Sequence, residues 1–408
     1  MIKLLFGLGA LGLFTSTVFT AMVAIGVWRF VRMRRQRSLA AAPADLPPVT
    51  LLKPLHGSEP NLEEHLTSFF QQDYPVFEIL FCARQSEDLG LQTAMRVAAR
   101  FPHIPVKFVT TGEPQYINAK VASLERMEAV ASHSLLVISD SDVRVRPDYL
   151  RRIVAPFADP GVGLLTCLYR GVAADNGIWS RLEAAGMSVE MTSGVLVADL
   201  TEGMRFALGP TMVVRRECVQ EIGGFGVLGD YCADDFVLGN LVSEKGHTVV
   251  LSEHIIDHIV INARFVSSVK HQIRWMKSTR FSRPLGHLGT VLTFSVPFGL
   301  LSGASALALG MPWLGLGLFA WSVLSRSALA VLVGSAVVGE SHLLRLALLY
   351  PLRDLLGFCY WSASYLNDKI VWRGEIYRLI EGGRMRSTST KAPKKPEPAL
   401  TTPGKLSS

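Results

Sequence analysis

Asp140 and Asp142 stand one residue apart at the end of the run Leu135-Leu136-Val137-Ile138-Ser139. A short apolar stretch with β-branched residues reads as a buried strand of a parallel sheet. In open α/β sheets, ligands gather outside the carboxyl ends of the strands. Two carboxylates placed there can hold a hard divalent cation, Mg²⁺ or Mn²⁺, which in turn holds a diphosphate. On the triplet alone, a strand followed by a polar turn explains the residues equally well. A second acidic pair, Asp234-Asp235, opens a helix reaching to about Lys245, where acids also serve as simple caps. A third group lies between Asn262 and Pro284, where Arg264, Lys270, Arg274, Lys277, Arg280 and Arg283 are interleaved with Phe265, Trp275 and Phe281. This reads as a basic amphipathic helix lying in a membrane interface. His271, Arg274 and Trp275 share one face of it at i, i+3 and i+4.

These groups together suggest transfer from a nucleotide sugar to a lipid. A departing diphosphate needs charge neutralisation, which a metal ion on Asp142, with or without Asp140, supplies. Arg274 adds a bidentate phosphate donor. The acceptor hydroxyl needs a general base, and the carboxylate of Asp235 can take that proton.

Such residues need a scaffold, and the chain alternates from Val49 onward. Strand patterns at Val49–Leu55, Glu78–Ala83, Val106–Thr110 and Leu135–Ser139 are separated by helical patterns at Asn61–Gln72, Gly90–Arg100 and Asn118–Ser132. That order predicts βαβ units and a mostly parallel sheet. Further on, Asp148–Phe157 reads as a helix, and Val162–Leu168 and Thr248–Leu251 as strands. Phe206–Val214 is strand-like too, but Gly209-Pro210 inside it favours an edge or a loop near the site. The stretch Ile178–Met204 is amphipathic and less regular.

The chain has 408 residues, 49% of them apolar, a net charge of +7 and a positive mean hydropathy. Membrane segments are expected. Leu4–Phe30 is long enough to span a bilayer, and Arg29, Arg32, Arg34, Arg35 and Arg37 follow its apolar core rather than precede it. This is an anchor and not a signal peptide, with its basic end in the cytoplasm. Leu288–Leu309 and Pro312–Val338 read as two further spans, and Leu343–Leu366, with Arg345, Arg353 and Asp354 inside it, as a partial or re-entrant one. The five scattered cysteines support neither a disulfide framework nor a zinc site. No interleaved basic and aromatic strip for single-stranded nucleic acid is seen. The boundaries expected are an anchor at 1–37, a linker at 38–48, a catalytic domain at 49–260, the amphipathic helix at 261–285, a membrane region at 286–368 and a basic, largely disordered tail at 369–408.

Over residues 49–285 the chain resembles the ceramide glucosyltransferase family of membrane-bound inverting transferases. The likeness lies in the order Leu52-Lys53-Pro54-Leu55-His56-Gly57, Pro60-Asn61-Leu62, Phe69-Phe70, Asp73-Tyr74-Pro75, Asp88, Asp140-Ser141-Asp142-Val143-Arg144-Val145, Asp235 and Arg274-Trp275. The resemblance implies a GT-A fold in an α/β domain flanked by transmembrane helices, a UDP-sugar donor and a lipid acceptor. It implies nucleotide contact by Asp88, metal–diphosphate contact by Asp140 and Asp142, and a base at Asp235. Lys120, opening a helix capped by Asn118, is placed to reach the nucleotide, as are Lys53 and His56.

Three departures stand out: Glu87 beside Asp88, an acid at Asp142 where ceramide enzymes often have none, and His271-Gln272 where the family has Gln or Arg three residues before Arg-Trp. The His271-Gln272-Ile273-Arg274-Trp275 form looks like a bacterial, inner-membrane branch implied to move N-acetylglucosamine onto bacteriohopanetetrol. In that reading His271, Gln272 and Trp275 face the acceptor or the interface, and glucosylceramide synthesis is the alternative. Asp140-Ser141-Asp142-Val143 also fits the nucleophile loop of haloacid-dehalogenase-like phosphatases. There, however, the nucleophile ends the first strand of the domain, whereas about three βα units precede it here.

Overall fold

A computed structural model describes residues 1–39, 46–262, 264–372 and 374–388. Most of the expected Ala/Pro-rich linker, Arg373 and the tail beyond residue 388 lie outside the described residues.

The chain opens with helix α1 (Ile2–Leu39) and then alternates: β1 (Val49–Pro54), α2 (Leu62–Phe70), β2 (Phe77–Ala83), α3 (Leu89–Ala98), β3 (Val106–Thr110), α4 (Ala119–Glu128) and β4 (Leu135–Ser139). These four strands pair in parallel in the order β3-β2-β1-β4. Strands β2 and β4 are buried at every position, as expected where helices cover both faces of a sheet and strands read as continuous apolar runs.

The second half is mixed. It comprises β5 (Val143–Arg144), α5 (Tyr149–Val154), β6 (Val162–Ala173), α6 (Ile178–Ala185), α7 (Thr192–Glu202), β7 (Thr211–Arg215), α8 (Arg216–Glu221), α9 (Asp234–Glu244) and β8 (Thr248–Val260). The sheet runs β3-β2-β1-β4-β7-β6-β8-β5, with β7 antiparallel to both neighbours. The strand expected at Phe206–Val214 begins only at Thr211, because Pro210 has no amide to donate to a central ladder. Gly209-Pro210 is thereby left as a loop at the strand ends. Strand β8 runs nine residues past the expected Leu251, to Val260, and carries Asp257 and His258. The irregular stretch at Ile178–Met204 resolves into α6 and α7 joined by the π-helical segment Gly186–Met191.

Beyond the sheet lie α10 (Phe265–Ser282), α11 (Pro284–Gly289), α12 (Val296–Ala308), α13 (Pro312–Val333) and α14 (Leu343–Ala363). Among the described residues two segments, Ile2–Arg37 and Pro312–Val338, are long and apolar enough to cross a membrane. The span expected at Leu288–Leu309 is broken: Pro284–Thr293 and Val296–Ala308 meet at a 48° bend. The freed amides of Ser295 and Val296 at the break both donate to the Asp354 carboxylate, at 2.9 and 2.8 Å. Helices α12 and α13 approach closely, since a Cβ at Gly315 would sit 2.6 Å from the Gly303 carbonyl. Small residues at such crossings let membrane helices pack. The core on one face of the sheet continues without a break into these helices: Val23, Val27 and Phe30 of α1 and Leu329 and Val333 of α13 share a cluster with Leu51, Val137 and Val213.

The segment expected to begin a disordered tail is ordered at its start. Strands β9 (Lys369–Trp372), β10 (Glu375–Ile380) and β11 (Arg384–Ser387) form an antiparallel sheet. Ile370, Leu379 and Met385 bury a small core against Cys232, and that apolar alternation is what holds the segment down.

Candidate active site

The β4 end and the start of α9 meet through one lysine. Lys120, in the first turn of α4, places its Nζ 2.6 Å from Asp140 Oδ1 and 3.9 Å from Asp234 Oδ2. Burial alone would lower the Lys120 ammonium, but Asp140 and Asp234 outweigh it and hold it above its ordinary value. Asn118 fixes that turn by accepting from the Lys120 amide (3.0 Å) and donating to Asp234 Oδ1 (3.1 Å).

Asp235 points the other way. Its Oδ2 accepts from the Gly209 amide at 2.6 Å and its Oδ1 from the Phe236 amide at 2.8 Å. A Cβ at Gly209 would lie 3.0 Å from Asp235 Oδ2 and 3.7 Å from Asp140 Oδ2. The Gly209-Pro210 loop therefore separates two carboxylates by the width of a glycine. Burial, and then the neighbouring Asp234, raise the Asp235 carboxyl to about 6 despite Lys120. A carboxylate tuned toward neutrality in a pocket of acids is the property a general base needs.

Asp142 is held from strand β8. His258 Nε2 lies 2.9 Å from Asp142 Oδ2, while Oδ1 is buried without a partner. Burial favours the neutral acid, but His258 overcomes it and keeps Asp142 below the usual carboxylate range. Next to it, Ser141 Oγ donates to Glu59 Oε1 (2.9 Å), and Glu59 Oε2 is also unpartnered. Burial, reinforced by Asp142, pushes Glu59 up to about 7. Lys53, at the end of β1, donates to the Asp140 carbonyl at 2.5 Å and lies 3.7 Å over the Phe69 ring. Its burial pulls it down to about 7.

The remaining expected residues have structural partners. Asp88 caps α3 through Gly90 and Leu91, and its other oxygen accepts from the Gly57 amide at 2.8 Å. It thereby fixes a turn in which Gly57 has φ +67°, the turn that carries Glu59 to Ser141. Arg274 lies 5.7 Å over the Trp372 ring of β9 and beside Cys232, near the start of α9. His271 Nδ1 meets the buried Glu183 carboxylate at 2.6 Å. Gln272 is buried, its Oε1 accepting from Arg353 at 2.9 Å. Trp275 packs 4.6 Å from His271 and against the main core. Helix α10 was expected to lie in the membrane interface, and its basic side chains bind the segment that follows α14. Lys277 donates to Asn367 and to the Lys369 carbonyl, and Arg280 to the Ser364 carbonyl.

Residues 13–385 match glycosyl transferase family 21. The chain belongs to that family. As a family 21 glycosyltransferase it is 26% identical to ceramide glucosyltransferase 1 of Caenorhabditis elegans over 363 residues, covering 86% of this chain and 76% of the relative. It is 24% identical to ceramide glucosyltransferase 3 of the same organism, covering 84% and 75%. A mannosyltransferase from Pyrobaculum calidifontis, solved with GDP-mannose and Mn²⁺, superposes with a TM-score of 0.51 at 20% identity, covering 88% of this chain and 97% of that one. This shared fold is GT-A, and it leaves the phosphatase alternative without support. Both of these relatives are ceramide glucosyltransferases, the activity expected above as the alternative to transfer onto bacteriohopanetetrol.

In this family 21 chain, Asp140, Asp142, Lys120 and Asp235 come together as expected, while His258 and Glu59 were not foreseen. Nothing local marks His258, which reaches Asp142 because β8 is longer than its apolar start suggests. Glu59 carried a visible signal, an acid just before the Pro60-Asn61-Leu62 motif. Among the described residues no cluster of three or more His, Cys, Asp or Glu side chains is arranged to enclose a metal. The residues nonetheless fit Mg²⁺ or Mn²⁺, because nucleotide-bound ions of this kind need one or two carboxylates and take the rest from phosphate and water. The unpartnered Asp142 Oδ1 is such a donor.

Proposed function

We propose that the protein transfers a hexose, with inversion, from a UDP-sugar to a hydroxyl of a membrane lipid, ceramide being the acceptor class that its relatives support. The reading rests above all on Asp235, held by two backbone amides and set across Gly209 from Asp140. The acceptor oxygen attacks the anomeric carbon, its proton passes to Asp235, and the bond to the diphosphate oxygen breaks on the opposite face. Asp142, joined by Asp140, holds the divalent ion, which when bound neutralises charge on the departing diphosphate. Lys120 keeps Asp140 oriented and adds positive charge beside the phosphates. Asp88 acts on the nucleotide through the Gly57 turn that it fixes, and Arg274 supplies a guanidinium near the start of α9.

Membrane helices at both ends of the domain hold the site at a bilayer, where a lipid hydroxyl can reach it. The basic end of α1 supports a catalytic domain that faces the cytoplasm. To test this, the purified full chain in nanodiscs receives UDP-glucose or UDP-N-acetylglucosamine with ceramide or bacteriohopanetetrol, and products are weighed by mass spectrometry. Hexosylceramide with stoichiometric UDP supports the reading. Glycosylated bacteriohopanetetrol without hexosylceramide overturns the acceptor assignment, and release of inorganic phosphate without sugar transfer overturns the reaction.

A further inference from the structure

A cavity of about 350 Å³ opens between β6, α6 and the start of α14, away from the paired aspartates, and Arg144, Arg170, Arg181 and Arg345 line it together with Leu346 and Leu349. We propose that it binds the phosphate of an anionic lipid headgroup. The inference rests on the reading that α1 and α13 cross a bilayer, because that reading sets the depth of the cavity.

Arg34, in the basic end of α1, donates to the Ala336 carbonyl at 2.8 Å. Arg170 donates to the Gly339 carbonyl, also at 2.8 Å. The cavity is thus pinned to the end of α13 that lies beside the arginines of α1, the level at which headgroups sit.

Its free donors are suited to one phosphate. Arg144 and Arg170 share Asp257, Arg144 also meeting Glu64 on its outer side. The lining acids are already engaged, Asp175 by Ser180 and the Gly177 amide, and Glu340 by the His342 amide. Arg181 donates to Asn176 Oδ1 at 2.7 Å and lies within electrostatic reach of Asp175, while Arg345 has no ion pair or side-chain hydrogen bond among the described residues. Asp257, Glu64, Asp175 and Glu340 balance the four arginines, and what the cavity offers an anion is the unpaired Arg345 guanidinium. To it is added the start of the 21-residue α14, whose His342 provides no side-chain cap. First-turn amides there lack intrahelical acceptors and favour an anion.

A path for acyl chains continues from the same helix. Leu344, Leu348 and Leu352 form one stripe at i, i+4 and i+8 and are 75%, 71% and 46% exposed. A soluble phosphate gains nothing from this stripe, whereas a phospholipid covers it.

The test uses the full chain in nanodiscs of phosphatidylcholine with or without phosphatidylglycerol, with retained lipid measured by native mass spectrometry. The wild type is expected to retain phosphatidylglycerol, and Arg345→Gln and Arg181→Gln to lower retention about fivefold each. Both substitutions are at surface positions outside the catalytic groups, and unchanged sugar transfer in phosphatidylcholine confirms that the variants are folded. Equal retention by wild type and the double variant overturns the proposal. So does displacement of the lipid by millimolar inorganic phosphate, which identifies a soluble anion as the ligand. Absence of sugar transfer by the wild type refutes the proposed function and leaves the cavity assignment to the lipid measurement.

Discussion

His258 Nε2 meets Asp142 Oδ2 at 2.9 Å, and the other oxygen of Asp142 is left buried without a partner. The histidine comes from β8 and the aspartate from the β4 end, 116 residues apart in the chain. Such a contact fixes which oxygen of the carboxylate is free, much as outer-shell partners orient metal ligands elsewhere. His258→Ala is expected to weaken Mn²⁺-dependent binding of UDP by roughly 10- to 100-fold, with binding in the absence of metal little changed. Calorimetric titration of UDP with and without Mn²⁺ reads the difference. An equal loss in both would show that His258 serves only the fold.

Asp235→Asn is expected to lower kcat by about 10²- to 10⁴-fold with UDP-sugar affinity nearly intact. The sign of the pH dependence follows from the raised pKa. With Asp235 titrating at about 6, the active carboxylate predominates above pH 6, and the rate falls as pH drops through that value. The acid limb of the kcat profile should therefore lie near 6 rather than near 4, and whatever residual rate Asp235→Asn retains should lack it. A wild-type profile flat from pH 5 to 8 would remove Asp235 as the base.

Gly209→Ala tests the spacing between Asp235 and Asp140. The added methyl would stand 3.0 Å from Asp235 Oδ2, so the base or the loop must shift by a few tenths of an ångström. Small displacements of reacting groups are costly, and kcat is expected to fall roughly 10- to 100-fold. The backbone at Gly209 is not left-handed, so the melting temperature should hardly move. A large drop in melting temperature with normal kcat would refute this.

Much of the catalytic half was legible because its signals are local. The strands β1 to β4 announce themselves as short β-branched runs, and Asp88 and Asn118 cap the helices they precede. Asp140, Asp142 and Asp235 stood out through their order and spacing with the other family motifs, since acids at strand and helix ends alone also serve turns and caps. What escaped depends on partners distant in sequence. His271 and Gln272 read as groups facing the acceptor or the interface, since their counterparts Glu183 and Arg353 lie 88 and 81 residues away. The break between α11 and α12 was hidden in the same way: a continuous apolar pattern does not reveal that Asp354 of α14 will accept the freed amides. The basic composition of the last segment masked the alternation of Ile370, Leu379 and Met385 that docks β9 to β11.

Glu183 clasps α10 to the catalytic domain. Its side chain accepts from His271 Nδ1 (2.6 Å), Ser268 Oγ (2.6 Å) and Asn262 Nδ2 (2.9 Å). Glu183→Ala leaves these donors without an acceptor, each costing about 1–3 kcal/mol where it stays buried. The variant should melt well below the wild type, and limited proteolysis should open the chain near α10. Glu183→Gln retains one acceptor oxygen and should fall between the two.

Arg353 makes a second clasp, and a double substitution tests it. Its Nη2 lies 2.9 Å from both Glu190 Oε2 and Gln272 Oε1, and a Cβ at Gly186 would stand 2.2 Å from its Nε. Removing one partner of a buried ion pair leaves an uncompensated charge and costs about 3–5 kcal/mol. Arg353→Met should therefore lower thermal stability strongly, because Glu190 remains. Adding Glu190→Gln removes that charge, and the double variant should recover part of the loss. If the two effects simply add, the residues are not coupled and the clasp is refuted. If stability returns while sugar transfer stays low, the guanidinium is needed to hold Gln272, and with it the Arg274-Trp275 turn of α10, in register with Asp235.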